Sequence, residues 1–341
     1  MKHIHSVYFV LMLLLSLNSG CYLLMNKDKN KEETDKTTTE ATTGEKSEKG
    51  ERGEDAAPTT DTKAEPTRGK TSAGTFSFTP HAPVNGKLKG VVELGASGFN
   101  SFIVTVDEDK NWKLENAEFG ASMVYESMAT TDDIKTGLRN YIAKMVNFGV
   151  KNNNIQFVVS SGAAQDPKVS KIVSQLKAMG YVVNTVTAEQ EGKLAARTIL
   201  PNEFKGNSFV VDIGSGNTKI TWEENGQLKS FETYGSKYFE RNASDDQVYK
   251  EVVAVAGKIP SKNRVKCFII GGVPYELANQ HRNAKERYTV LHTPDEYSAK
   301  GAKIKSGLNI YKGIVDATNC DTFVFDWDSN FTIGYLLGLK Y

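Results

Sequence analysis

The chain lacks an excess of charge of either sign. Lysine and arginine number 42 against 41 aspartates and glutamates, a formal net charge of +1 over 341 residues. Without a basic surplus there is no electrostatic footprint for a nucleic acid, so none is expected as a partner. Cysteine is also scarce: beyond Cys21 the chain has only Cys267 and Cys320. One disulfide in an oxidising compartment or two buried thiols are both open to that pair. His281 and His292 stand in no ligand-spaced cluster and are read as surface or partly buried side chains rather than metal ligands. The N-terminal apolar run, Tyr8 to Leu17, is ten residues long, too short to cross a bilayer as a helix.

What that run does fit is an export signal. Lys2 gives a positive start, and the small residues Ser19 and Gly20 precede Cys21. The pattern resembles a bacterial lipoprotein signal, with residues 1–20 removed and Cys21 lipidated as the new N-terminus. That resemblance implies a membrane-anchored protein of the cell envelope, periplasmic or surface-facing. Within residues 21–75, the stretch from Asn26 to about Ala73 is Lys, Glu, Thr, Asp and Gly with almost no apolar side chain. They cannot bury enough surface to offset backbone entropy and read as a disordered tether.

Two glycine-bearing segments dominate the rest. VVELGASGFNSFIV (Val91 to Val104) and FVVDIGSGNTKITW (Phe209 to Trp222) share one design. A β-branched run ends in a carboxylate, Glu93 or Asp212; a turn of small residues follows, then a second β-branched run. Glycines in such turns, Gly95 and Gly98, then Gly214 and Gly216, allow close backbone approach, and successive amides can line a concavity for phosphate oxygens. A carboxylate at the mouth can hold hydrated Mg²⁺. Two such turns predict a duplicated fold with a phosphate site between the halves.

The periodicities predict strands at 88–93, 101–106 and 112–118, a helix at 131–148 opened by Thr131, a strand at 155–161 and a helix at 167–179. A strand in YVVNTV and a helix carrying Glu191, Leu194 and Ala195 complete a first domain, 76–200. The second, 201–341, repeats the scheme: strands at 207–213, 217–223 and 227–233, a helix at 244–257 and a strand at 265–272, followed by a helix that Pro274 opens. Residues 286–315 carry no clear period, and the C-terminus reads as a strand and a short buried helix. The lysines of KGAKIKSGLNIYK, residues 300–312, could hold a polyanion, but a solvated helix face is the default reading. Three strands, helix, strand, given twice, is the order of the α/β actin, Hsp70 and sugar-kinase superfamily: two ribonuclease-H-like domains around a cleft.

Within that superfamily the chain resembles the exopolyphosphatase and guanosine-pentaphosphate phosphohydrolase family. ELGASGFNSF is similar to its first phosphate loop, DLGSNSF; VTAEQEGKLA to SGxEEAxL; VVDIGSGNTKITW to IDIGGGSTEL; and FETYGSKYFE to LPLGSVRLTE. The resemblance implies that Glu191 is the base acting on the attacking water and that Asp212 positions Mg²⁺ or water, with Glu93 as a second metal ligand. It implies phosphate binding by Gly95, Ala96, Ser97 and Gly98, by Gly214, Ser215, Gly216, Asn217 and Thr218, and by Gly271 and Gly272. It also implies Mg²⁺ as cofactor, polyphosphate or another phosphorylated polyanion as partner, and a homodimer as an admissible state.

The departures from the pattern are specific. Glu93 replaces aspartate, and Ser97 and Gly98 replace asparagine and serine. Gln165 stands for the arginine of GTxxxR, Val273 for a threonine, and Thr332-Ile333-Gly334 for Arg-Glu-Gly. Losing an arginine removes a planar, permanently charged donor. Two functions follow. One is a tethered hydrolase that releases terminal phosphate from inorganic polyphosphate or a similar polyanion, favoured by Glu191 and Asp212. The other is a non-catalytic actin-like module that binds phosphate, polyphosphate or nucleotide, or scaffolds an envelope partner, favoured by the missing arginine and altered first loop.

Overall fold

Two mixed sheets organise the chain. The computed structural model describes residues 76–95, 98–119 and 130–340. The signal, the tether, Cys21, Ala96 and Ser97 lie outside the described residues. The first sheet runs β3-β2-β1-β4-β5, from β1 (Lys87–Gly95), β2 (Gly98–Val106), β3 (Trp112–Glu118), β4 (Ile155–Val159) and β5 (Val183–Thr185). The second runs β10-β11-β9-β6-β7-β8, from β6 (Ser208–Ile213), β7 (Asn217–Glu224), β8 (Gln227–Tyr234), β9 (Lys266–Gly271), β10 (Tyr288–Val290) and β11 (Phe323–Asp326). In each, an antiparallel three-stranded meander meets a parallel strand on its first member: β1 pairs β4, and β6 pairs β9. This is the repeated order expected from the sequence, and the glycine turns are the β1–β2 and β6–β7 hairpins.

Seven helices are described: α1 (Thr131–Phe148), α2 (Pro167–Ala178), α3 (Ala188–Ile199), α4 (Asp245–Ala256), α5 (Gly272–Ala278), α6 (Ala302–Thr318) and α7 (Phe331–Gly338). α1 is capped by Thr130, not Thr131: the Thr130 side chain accepts from the Asp133 amide and the Asp133 carboxylate accepts from the Thr130 amide. Residues 286–315 hold the short strand β10 and most of α6.

Strand alternation sorts the side chains into layers. Val92, Leu94 and Ile103 of the first sheet pack outward on α1 and α2 through Leu138 and Leu176. Val211 and Ile213 of the second pack outward on α4 and α6 through Val252 and Ile314. Between the sheets lies a third core, in which Val91 and Val158 meet Val210, Phe268 and Val324 through Ala195, Ile199, Ile333 and Leu336 of α3 and α7. Since Val91 and Val210 face this middle layer, period two places Glu93 and Asp212 on the same side of their strands. α3 thus arrives from the first sheet's half of the sequence but lies on β6, β7 and β8. α7, the last helix, lies on β1, β2 and α3. Where these helices cross there is no room for a side chain: a Cβ at Gly334 would fall 2.0 Å from the Leu194 carbonyl.

Among the described residues no helix is long and apolar enough to cross a membrane. Cys267 and Cys320 are free and buried; burial pushes the Cys320 thiol up to about 11.

Candidate functional site

The helix α3 meets β7 and β8 at Gly192. A Cβ there would come within 2.1 Å of Ser230 Oγ and 3.2 Å of Lys219 Cβ, so only glycine lets the helix backbone rest on the sheet. That contact sets Glu191 beside Lys219. Lys219 Nζ donates to Glu191 Oε1 at 2.5 Å and lies 3.6 Å from Asp212 Oδ2. Lys219 and Asp212 are cross-strand partners in the β6–β7 hairpin, the register in which opposite charges attract most directly. All three are buried: Glu191 and Lys219 are 3% exposed and Asp212 is 7% exposed.

Glu191 is held on its other oxygen too. Ser161, just after β4, donates its amide to Oε2 at 3.0 Å and its hydroxyl at 2.5 Å. A carboxylate offers about four lone-pair sites; three are taken here. Glu93, at the β1 end, accepts from Asn100 Nδ2 at 2.9 Å and from Asn330 Nδ2 at 3.1 Å. Burial pushes its carboxyl up to about 7, with repulsion from Glu191 and Asp212 adding and the two amides subtracting. Burial likewise lifts Asp212 to about 6, against the pull of Lys219. Burial alone would lower the Lys219 ammonium, but Asp212 and Glu191 outweigh it and hold its pKa above the usual value.

The β6–β7 turn forms the opposite wall. Ser236 and Lys237 donate their amides to the carbonyls of Gly214 and Ser215 at 2.9 and 3.0 Å, and the Gly214 amide bonds Asn217 O at 3.1 Å. The amides of Ser215 and Gly216 meet no acceptor among the described residues. Two adjacent free N–H groups at a glycine turn are an anion cradle. Gly162 closes on this turn, a Cβ at Gly216 falling 3.5 Å from its Cα. Asn217 ties the two together, donating to Ser161 Oγ at 3.2 Å and to Glu232 Oε2 at 3.0 Å. Thr218 is different: it alternates to the other face of β7 with a fully buried hydroxyl that has no partner among the described residues, so it brings no donor to this side. Gly271, at φ 113°, lies against Ile213, whose carbonyl a Cβ would meet at 2.2 Å. Thus Glu93, Glu191 and Asp212 share one acidic cluster, and Gly214, Ser215, Gly216, Asn217 and Gly271 line the adjoining turns. Gly95 sits at the first hairpin, its Cβ position 3.4 Å from Glu93 Oε1, with Gly98 opposite it.

Two cations, Lys219 and Arg241, escaped the sequence reading, and a third, Lys303, lies in the KGAKIKSGLNIYK stretch. Lys219 had a signal, since the IDIGGGSTEL pattern carries glutamate where this chain has Lys219. Arg241 follows β8 in a 3₁₀ turn, its Nη2 3.8 Å from a Cβ built on Gly216. Lys303 of α6 places Nζ 3.3 Å from a Cβ built on Gly272. Neither of these two forms an ion pair among the described residues, so both are available to an anion at the turns. No motif reports Arg241, because an arginine on a surface turn carries no spacing signal. His281 and His292 pack with their rings tilted by 44°, ring centres 4.1 Å apart, with His281 Nε2 bonded to Tyr297 OH at 2.7 Å.

Mg²⁺ does not fit among these residues as they stand. It requires near-octahedral oxygens at about 2.0–2.1 Å. The cation lodged between Glu191 and Asp212 is the Lys219 ammonium, and its charge would repel a second one. No group of three His, Cys, Asp or Glu side chains among the described residues is disposed to hold a metal.

No protein-family model matches the chain, and no curated protein does. Solved structures do. An exopolyphosphatase from Cytophaga hutchinsonii is 16% identical, with a TM-score of 0.56 over 74% of this chain and 99% of its own. The Aquifex aeolicus PPX-GPPA enzyme is 15% identical, with a TM-score of 0.54 over 74% of this chain and 100% of its own. A type II variant of the Aquifex aeolicus Ppx/GppA phosphatase is 13% identical, with a TM-score of 0.52 over 73% of this chain and 98% of its own. The chain therefore has the two-sheet α/β fold of the Ppx/GppA phosphatases.

Proposed function

We propose that this chain is an exported, lipid-anchored phosphohydrolase of the exopolyphosphatase type, which releases terminal phosphate from inorganic polyphosphate or a similar polyanion. One observation carries the reading: Glu191 and Asp212 meet beside a turn whose Ser215 and Gly216 amides are unengaged, with Arg241 at its edge. Phosphoryl transfer needs positioning and charge neutralisation more than covalent help. The free amides and Arg241 hold the terminal phosphate. Water attacks phosphorus in line, the anhydride P–O bond breaks, and the next phosphate of the chain leaves as an oxyanion. Glu191 takes the water's proton. Three of its lone-pair sites are occupied by Lys219 and Ser161, which leaves one for that proton.

The Lys219–Glu191 contact itself favours a second reading, a polyanion-binding module without turnover. Phosphate release by the purified chain from polyphosphate, nucleoside triphosphates and guanosine pentaphosphate separates the two. Release above that of the Glu191→Gln variant supports the hydrolase; binding without release supports the module. Anchoring is tested apart: Cys21→Ser should leave an uncut precursor or a soluble protein, and unchanged fractionation of a parent that carries no lipid by mass spectrometry ends that part.

A further inference from the structure

We infer that Lys219 is the resident cation of the acidic cluster: its ammonium group takes the place of a divalent ion, so the cluster excludes Mg²⁺ and the cleft binds anions without metal. The inference rests on reading the adjoining turn as a phosphate site.

The geometry is that of a fixed cation rather than a mobile side chain. Lys219 starts from a β-strand position directly opposite Asp212. Its stem is roofed by the α3 backbone at Gly192, so the ammonium cannot swing out to solvent. Nζ touches Glu191 at 2.5 Å and Asp212 at 3.6 Å and lies 3.5 Å from a Cβ built on Gly214, at the foot of the anion cradle. The groups facing it are Glu191 from α3, Asp212 from β6 and, at longer range, Glu93 from β1. A positive charge fixed between carboxylates and a glycine turn does what a metal would do electrostatically. It neutralises the acids and attracts a phosphate oxygen from below. It does not lend an inner-shell water, because an ammonium group donates hydrogen bonds and accepts none.

The test uses the purified full chain and two titrations. Mg²⁺ and Mn²⁺ alone are titrated calorimetrically and followed by thermal melting. Wild type should show no saturable binding. Lys219→Gln leaves Glu93, Glu191 and Asp212 without their cation and should gain a site, about tenfold or more tighter for Mn²⁺. Tripolyphosphate is then titrated in EDTA and in Mg²⁺. Wild type should bind alike in both, while Lys219→Gln should lose about tenfold in EDTA, as expected for one charge-assisted contact. Stoichiometric Mn²⁺ binding by wild type, or tripolyphosphate binding that vanishes in EDTA, overturns the inference. If wild type binds no tripolyphosphate in either medium, the phosphate reading fails, and the metal titration still decides the role of Lys219. Should Lys219→Gln not fold, the two wild-type titrations decide it alone.

Discussion

Asn330 donates to Glu93 across 237 residues of sequence, at 3.1 Å, while its own Oδ1 accepts the Thr332 amide at 2.8 Å. One side chain thus caps α7 and restrains a carboxylate of the first hairpin. Asn330→Ala removes both of these bonds and a third, from the Thr332 hydroxyl to Oδ1 at 2.7 Å. It should lower stability by about 1–2 kcal/mol in urea unfolding, the usual loss for an N-cap plus one hydrogen bond to a partly charged group. Asn330→Asp keeps the cap but brings a second carboxylate to Glu93. That variant should be nearly neutral at pH 5 and destabilised at pH 8, a difference that a purely local cap would not produce.

Glu93 gives the protein a pH dependence with a definite sign. Its folded pKa, about 7, is above the ordinary 4.5. The folded state therefore holds the proton more tightly than the unfolded chain, so this group's contribution is full below pH 4.5 and is lost as pH rises toward 7. Asp212, raised from 3.8 to about 6, acts in the same direction over a lower window. Glu93→Gln should match wild type near pH 4. By pH 8 it should exceed it by about 1 kcal/mol, the shift being discounted for the carboxyl's partial exposure. Equal melting temperatures across that range would contradict the burial of Glu93's charge.

Glu191→Gln separates chemistry from architecture. As a base in the transition state, Glu191 should contribute about 10²–10⁴-fold to kcat with little effect on KM. The same change weakens the hold on the buried Lys219 ammonium, so the variant should also melt lower, a loss of about 1–3 kcal/mol. Full retention of phosphate release with a lowered melting point would make Glu191 a structural partner of Lys219 and nothing more.

Arg241→Ala should weaken tripolyphosphate binding about tenfold, the worth of one charge-assisted contact. The melting point should not move, because the side chain is exposed and forms no ion pair among the described residues. Lys303→Ala should behave alike with a smaller effect, since ammonium lacks the planar fork of guanidinium. A loss of stability without a loss of affinity in Arg241→Ala would exclude it from the anion site.

Much of the fold was legible because period two and glycine turns are local signals. Val91, Glu93 and the Gly95–Gly98 turn announce a hairpin by themselves, and so do Val210, Asp212 and Gly214. β10 was not legible: three residues give no period, and its place is set by pairing with β11. In the site, the acids could be read from the resemblance, but the charge balance could not. Lys219 looks like any strand residue until α3 is laid over it, and that overlay depends on Gly192, whose missing side chain leaves no mark on hydrophobic patterning. Arg241 and Asn330 act across the fold from turns and caps, where sequence gives no hint of what is opposite.

The crossing of α3 and α7 fixes the order of events at the ribosome. Glu191 is synthesised before the strands it will lie on, and Asn330 follows all the strands described. Neither sheet can close its inner face until the last helix is free to dock between them. Contacts of such sequence separation form slowly. A nascent chain halted anywhere short of α7 carries the acids and the glycine turns yet has no finished cleft. Removal of α7 should therefore lower the stability of both sheets, because its side chains fill the core that they share.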